Sequence, residues 1–220
     1  DYIDALGALG FGFLEIGTVT PKPQSGNPKP RIFRNNADNS IINRLGFNNK
    51  GIDYLVNNLK KRKYDGVVGV NIGANKSSEG IERIYDYLLC IEKIHKLADY
   101  ITINISSPNT PDLRDLHLKE NLQNLITSVE KKIDEVKFTK PVFLKISPDE
   151  TDESIEMIVD LVKNSSFTGL IATNTTIEKD NLSNKKIKNE AGGVSGQPLL
   201  EKSTNKILLI RSKCSDIPLI

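Results

Sequence analysis

Apolar positions along this chain follow two spacings that take turns. A helical period places Ile52, Leu55, Val56 and Leu59 on one face, then Ile81, Ile84, Leu88, Ile91 and Ile94 on another. It returns at Leu122, Leu125, Ile126, Val129 and Ile133, and again at Ile155, Ile158, Val159 and Val162. Between these stripes lie short runs rich in β-branched residues: "FLEIGTVT" (13–20), "GVVGVNIG" (66–73), "YITINIS" (100–106), "PVFLKIS" (141–147) and "TGLIATNT" (168–175). The pattern predicts a short helix over 2–9 and a last helix over 199–213. Residues 21–49 are polar and proline-rich, and read as one long irregular stretch.

Strands that alternate with helices predict βαβ units and a parallel sheet, because parallel strands need crossover connections. Polar residues follow nearly every strand: Thr18, Asn71, Asn104 with Ser107, Lys145, and Thr173 with Asn174 and Thr175. In a (β/α)8 barrel each strand end contributes to one mouth. A doubly wound sheet instead gathers its ligand contacts at a switch point. Contributions from five successive strands favour the α/β class with a TIM-type (β/α)8 barrel, one domain over residues 1–220. Such a barrel takes about 250 residues. Five strands are visible, with a sixth beginning at "DIPLI", and the chain opens without Met inside a helical pattern. The expectation is therefore an incomplete barrel that lacks the first strand and the last ones.

Composition narrows the partners. With 38% hydrophobic and 26% charged residues, 220 residues suit one soluble globular domain. A net charge of +2, from 30 basic and 28 acidic residues, gives no field to gather nucleic acid, and none is expected as a partner. The densest basic run, Lys60 to Lys63, ends a predicted helix and complements its dipole. Cys90 falls in an apolar helical pattern and Cys214 lies far from it, which reads as thiols with no metal spacing. No apolar run reaches the ~18 residues of a membrane span. The cytoplasm is the default compartment.

Candidate chemistry sits at the strand ends. "GALGFG" (7–12) has the look of a dinucleotide fingerprint, but it closes a helix and opens a strand, so Gly10 reads as a helix cap. Asn104 offers two donors and an acceptor, suited to the edge of a flat heterocycle. Ser107, in "NISSPNTPDLR", either caps a turn or stands at a reactive strand end. No His-Asp pair is evident to make it a hydrolase nucleophile, since His95 lies on a helix and His117 at a helix start. Lys145 ends an apolar strand, where its ammonium either reaches solvent or meets an anion. "GGVSG" (192–196) permits close backbone approach, phosphate being the natural ligand. "NRLGFNN" (43–49) is either a surface loop or a cover for an anionic planar substrate. No metal-ligand cluster is visible.

In chain order, "EIGTVTPKPQSGNPKPRIFR", "INRLGFNN", "NIGANK", "YITINISSPNTPDLR", "LIATNTT" and "GGVSGQPL" resemble the class 2, quinone-dependent dihydroorotate dehydrogenases. The resemblance covers essentially the whole chain. It implies FMN at the barrel mouth, and oxidation of dihydroorotate to orotate in pyrimidine biosynthesis, with a quinone as the second partner. It implies Ser107 as the catalytic base at C5, where class 1 enzymes carry Cys. Asn43, Arg44, Leu45, Gly46, Phe47, Asn104, Asn109, Asn174 and Thr175 match substrate contacts. Thr18, Asn71, Asn104, Lys145, Thr173 and Gly196 match flavin contacts. It also implies peripheral membrane contact through N-terminal segments that this sequence does not include, at the cytoplasmic face of the inner membrane if the source is bacterial. Asp112, where the family usually has Gly, and Ala74, where it often has Lys, depart from the pattern. Another flavin barrel (class 1, dihydropyrimidine or dihydrouridine type) and a non-enzymatic ligand-binding barrel remain as alternatives. Ser107 and the "GNPKPRIFR" insertion speak against the former.

Overall fold

A computed structural model describes residues 2–106 and 119–220. Five parallel strands form the main sheet, in the order β1 (Phe13–Val19), β4 (Val67–Ile72), β5 (Tyr100–Asn104), β6 (Val142–Lys145) and β7 (Gly169–Ile171). Helices α2 (Ile52–Leu59), α3 (Ile81–Ile94), α4 (Lys119–Glu135) and α5 (Asp152–Lys163) alternate with these strands. A short α1 (Ile3–Gly7) precedes them, and α7 (Gln197–Lys213) follows a single-turn α6 (Lys185–Lys188). Beyond α7, Leu219 forms a parallel bridge with Leu170 and adds the start of a sixth parallel strand, as the "DIPLI" pattern predicts.

Side chains alternate across each strand, so the sheet has two unlike faces. Val68, Val70, Ile72, Ile101, Ile103, Leu144 and Leu170 point to the helices and are fully buried there. They meet Leu122, Leu125, Ile126 and Val129 of α4, and Ile155, Ile158, Val159 and Val162 of α5. Each such side chain contributes about 1.5–3 kcal/mol relative to exposure. The stripe of α3 is rotated from its predicted position. Tyr87, Cys90, Ile91 and Ile94 are buried, whereas Ile81 is 63% exposed. A bulky Tyr and a small Cys supply the face that aliphatic spacing alone assigned to Ile81, Ile84 and Leu88. Burial pushes the Cys90 thiol well up, so it sits there as a protonated apolar group.

The stretch 21–49 is not irregular. It contains β2 (Ile32–Asn35) and β3 (Ser40–Asn43), joined through a 3₁₀ turn (Asn36–Asp38) as an antiparallel hairpin. The "GGVSG" segment is a strand as well: β8 (Gly193–Gly196) pairs antiparallel with β3. A Cβ at Gly192 would lie 2.4 Å from the Asn43 carbonyl oxygen, and one at Gly196 2.3 Å from that of Asn39. Strand packing therefore accounts for these glycines, and they carry no separate signal for a phosphate. Thr176 and Val194 exchange backbone hydrogen bonds of 3.1 and 2.7 Å, fastening the small sheet beside the C-terminal end of β7. Gly10 also differs from its predicted role: α1 ends at Gly7 with Ala8 as its C-cap, and Gly10 lies in the connection to β1 with φ +85°. Among the described residues no helix is long and apolar enough to cross a membrane.

Candidate active site

Opposite the helices, the C-terminal ends of the parallel strands carry one continuous set of polar side chains. β1 breaks register with β4 between Ile16 and Val19. This break turns Thr18 toward β4, as bulges re-aim side chains at strand ends. Gly17 has φ +125°, and a Cβ there would lie 2.2 Å from the Asn71 carbonyl oxygen, so only glycine fits.

The Thr18 hydroxyl donates to Asn71 Oδ1 at 2.7 Å. Asn104 Nδ2 donates to Thr18 Oγ1 at 2.9 Å and to Asn71 Oδ1 at 3.2 Å. Asn104 Oδ1 accepts from the Ser106 N–H and hydroxyl, both at 3.2 Å. Asn174 Nδ2 then reaches Ser106 at its carbonyl, 3.0 Å, and its hydroxyl, 3.1 Å. Asn174 Oδ1 accepts from the Thr175 N–H at 2.8 Å, and Thr173 Oγ1 donates to the Asn174 carbonyl at 3.0 Å. From below, the buried Tyr87 hydroxyl donates to the Asn104 carbonyl at 2.8 Å. Burial pushes its phenol far up, so that proton stays in place.

Lys145 stands beside this chain, in register with Asn104 on one side and Ile171 on the other. It is half-buried, and no carboxylate among the described residues pairs with its ammonium. A cation with no counter-ion among the described residues suits an anionic or strongly polar ligand.

Segment 43–47 is tied to the same mouth. Asn49 Nδ2 donates to the Phe47 carbonyl at 2.7 Å and to Thr20 Oγ1 at 2.9 Å, which binds this segment to the end of β1. A Cβ at Gly73 would come within 2.8 Å of Thr18 Cγ2 and 3.2 Å of the Phe47 ring, which locates that ring over the β4 end. The Leu45 carbonyl accepts from Asn27 N and that of Gly46 from Gln24 Nε2, each at 3.0 Å. Among the described residues, nothing accepts from the N–H groups of Leu45, Gly46 and Phe47.

Of the sequence-predicted residues, Thr18, Asn71, Asn104, Asn174, Thr175, Thr173, Lys145 and Phe47 thus gather at one mouth. Arg44 does not bring a free charge to it. Its guanidinium pairs with Glu190 at 2.8 Å, donates to the Ala191 carbonyl at 3.1 Å and covers the Phe33 ring at 4.5 Å. Asn43 and Gly196 lie in the small antiparallel sheet, opposite Gly193 and Ser40. Ser107, Asn109, Asp112 and His117 lie outside the described residues. Two linking residues, Ser106 and Glu15, escape the sequence reading. Ser106 is hidden behind its neighbour Ser107, while Glu15 looks like the outward position of an alternating strand.

The family profile for dihydroorotate dehydrogenase matches residues 1–220. This chain belongs to that family. It is 50% identical over 211 residues to the dihydroorotate dehydrogenase (quinone) of Saccharophagus degradans, covering 94% of this chain and 62% of that protein. Against the protein of the same name from Legionella pneumophila strain Corby it is 46% identical over 225 residues, covering all of this chain and 68% of the relative. The crystal structure of DHODH from Eimeria tenella in complex with ferulenol superposes with a TM-score of 0.90 at 36% identity, over 96% of this chain and 63% of that one. The chain thus spans about two thirds of the length of these relatives. Its alternating parallel sheet is part of a (β/α)8 barrel.

A dihydroorotate dehydrogenase mouth takes FMN, and the residues present fit that group. The flavin's pyrimidine edge alternates N–H and C=O groups. Amides of Asn71 and Asn104, the Thr18 hydroxyl and the Lys145 ammonium, which has no partner among the described residues, would supply the complementary donors and acceptors.

Proposed function

We propose that this chain forms the catalytic mouth of a quinone-dependent dihydroorotate dehydrogenase, which oxidises dihydroorotate to orotate. The observation that carries the reading is the unbroken line of side chains from Thr18 through Asn71, Asn104 and Ser106 to Asn174, with Lys145 beside it. Thr18, Asn71, Asn104 and Lys145 would hold FMN, which would supply the acceptor for the C6 hydride and the route for electrons to the quinone.

The chain's own residues do the rest. Asn104 and Asn174 present amide edges to the flat, doubly amidic substrate ring, and their linkage through Ser106 fixes which atoms point outward. The N–H groups of Leu45, Gly46 and Phe47 suit the substrate carboxylate, whereas the Arg44 guanidinium is already paired with Glu190. Lys145 places a positive charge where negative charge grows during reduction. Ser107 takes the proton from C5. A serine is a weak base, so a hydrogen-bonded path must carry that proton onward. Quinones dissolve in the bilayer, so the reading includes peripheral membrane contact, at the cytoplasmic face in a bacterium.

The test is Ser107→Ala in the full-length protein. Flavin binding is expected to persist, while flavin reduction by dihydroorotate slows by at least ~10²-fold, the lower range for general-base catalysis. Rapid-mixing absorbance measures it. Near wild-type reduction would return Ser107 to turn capping.

A further inference from the structure

We propose that Glu15 is a positioning residue that holds the Asn71 amide in its donor and acceptor direction at the mouth. It rests on the functional reading above.

Glu15 lies on β1 between Leu14 and Ile16, which face the helices, so its carboxylate faces the other side. Three donors converge on it from two neighbouring strands. Asn71 Nδ2 reaches Oε1 at 2.8 Å; the Thr102 hydroxyl reaches Oε2 at 2.7 Å and the Tyr100 hydroxyl at 3.3 Å. Burial, and then the Glu15 charge, push the Tyr100 phenol up, so it remains a donor.

The carboxylate oxygens accept from all three donors, and this selects the direction of the Asn71 amide. Asn71 must turn its NH₂ to Glu15, which leaves Oδ1 for Thr18 and Asn104. Asn104 turns its NH₂ toward the same oxygen, and the Ser106 backbone N–H, which only donates, holds its Oδ1 from the other end. Ser106, its hydroxyl proton already committed, accepts from Asn174 Nδ2, and Asn174 Oδ1 takes the Thr175 N–H. Asn104 and Asn174 thus each have a backbone group that sets their direction, whereas Asn71 has side-chain partners alone among the described residues and is held by Glu15 at its far end. A neutral amide at position 15 removes that constraint. A flipped Asn71 amide then sets its NH₂ against that of Asn104 and offers a donor where the mouth had an acceptor.

The experiment compares wild type, Glu15→Gln and the double variant Glu15→Gln with Asn71→Asp, all as full-length flavin-loaded protein. The double variant exchanges the carboxylate and the amide. The carboxylate now at position 71 accepts from Thr18, from Asn104 and from the amide at position 15, restoring the original direction toward the mouth. The readout is orotate affinity, titrated through the change in the flavin absorption band, beside a thermal melt for folding. Glu15→Gln is expected to bind orotate at least ~10-fold more weakly, the equivalent of one reversed hydrogen bond. The double variant is expected to recover most of that loss. A residue that mattered only for folding would not be rescued by moving its charge to a neighbour.

Should Glu15→Gln fail to fold or to hold flavin, the double variant decides: recovery supports the inference, and a second failure overturns it. Unchanged orotate binding in Glu15→Gln would overturn the inference alone. A wild-type protein that binds no orotate would overturn the functional reading, and this inference with it.

Discussion

The two faces of the parallel sheet obey different rules although the same strands build both. Toward the helices, β4, β5, β6 and β7 present Val, Ile and Leu, each fully buried. Away from them the strands present Phe13, Tyr100 and Phe143 low down, with ring centroids 6.2 and 5.7 Å apart in edge-to-face pairs. Higher up that face come Glu15 and Thr102, then Asn71, Asn104 and Lys145. The first face is held by area removed from water and tolerates any close-packed aliphatic set. The second is held by hydrogen bonds whose direction matters, so a change of one atom type can reverse its chemistry. Stability and function are divided between alternate residues of a single strand.

Neighbours on β6 give the sharpest break of this comparison. Leu144 is fully buried on the helix face, and Lys145 is half-buried on the other. Leu144→Ala is expected to cost about 2–5 kcal/mol of folding stability through lost contacts and a residual cavity. Denaturant unfolding measures the midpoint shift, and a change under about 1 kcal/mol would mean the helix face is looser than its burial indicates.

Lys145→Ala should act the other way. Folding stability is expected to stay within about 0.5 kcal/mol, as for a residue outside the packed core. The flavin's reduced, negatively charged form loses a nearby cation, on the order of 1–2 kcal/mol for charges several ångströms apart at an effective dielectric near 20. Redox titration of the flavin-loaded full-length protein should therefore find a lower potential, or weaker flavin retention. An unchanged potential with flavin fully bound would assign Lys145 to solvent.

The division also explains what can be read from the sequence. Helix-face residues announce themselves by spacing, and the stripes of α4 and α5 match their burial position by position. In α3 the same spacing points to Ile81, because periodicity counts aliphatics and undervalues a buried Tyr87 whose hydroxyl has a partner. The small antiparallel sheet escapes notice because each of its strands has four residues, too few for alternation to stand out among prolines and charges. At the mouth, the residue types after each strand are legible, but their linkage is not. Asn174 meets Ser106 across 68 positions, and nothing local in either neighbourhood indicates it. Glu15 carries no local mark at all, since a carboxylate at an alternate strand position is what a solvated face also looks like.

The smallest expected effect concerns the rim, where the two faces meet. Asp149, in the loop after β6, accepts from Lys202 of α7 at 2.8 Å and from the Ile177 N–H at 2.9 Å, and also from the Thr176 hydroxyl. Glu178 shares the Lys202 ammonium at 2.5 Å. Burial raises the Asp149 carboxyl, but the Lys202 and Thr176 hydrogen bonds outweigh it and hold the group below its ordinary value of 3.8. A depressed folded value means that the stabilisation is fully present above about pH 4, the unfolded value, and is lost as pH falls through the folded one. Asp149→Asn should therefore flatten the acid limb of the stability curve below about pH 4. Between about pH 5 and 8 the two curves should run parallel, offset by about 1 kcal/mol or less because the pair is partly solvated. Chemical denaturation at a series of pH values measures both. Superimposable acid limbs would show that the loop after β6 is fastened to α7 by packing alone, and the polar face would then stop at the mouth instead of extending to the rim.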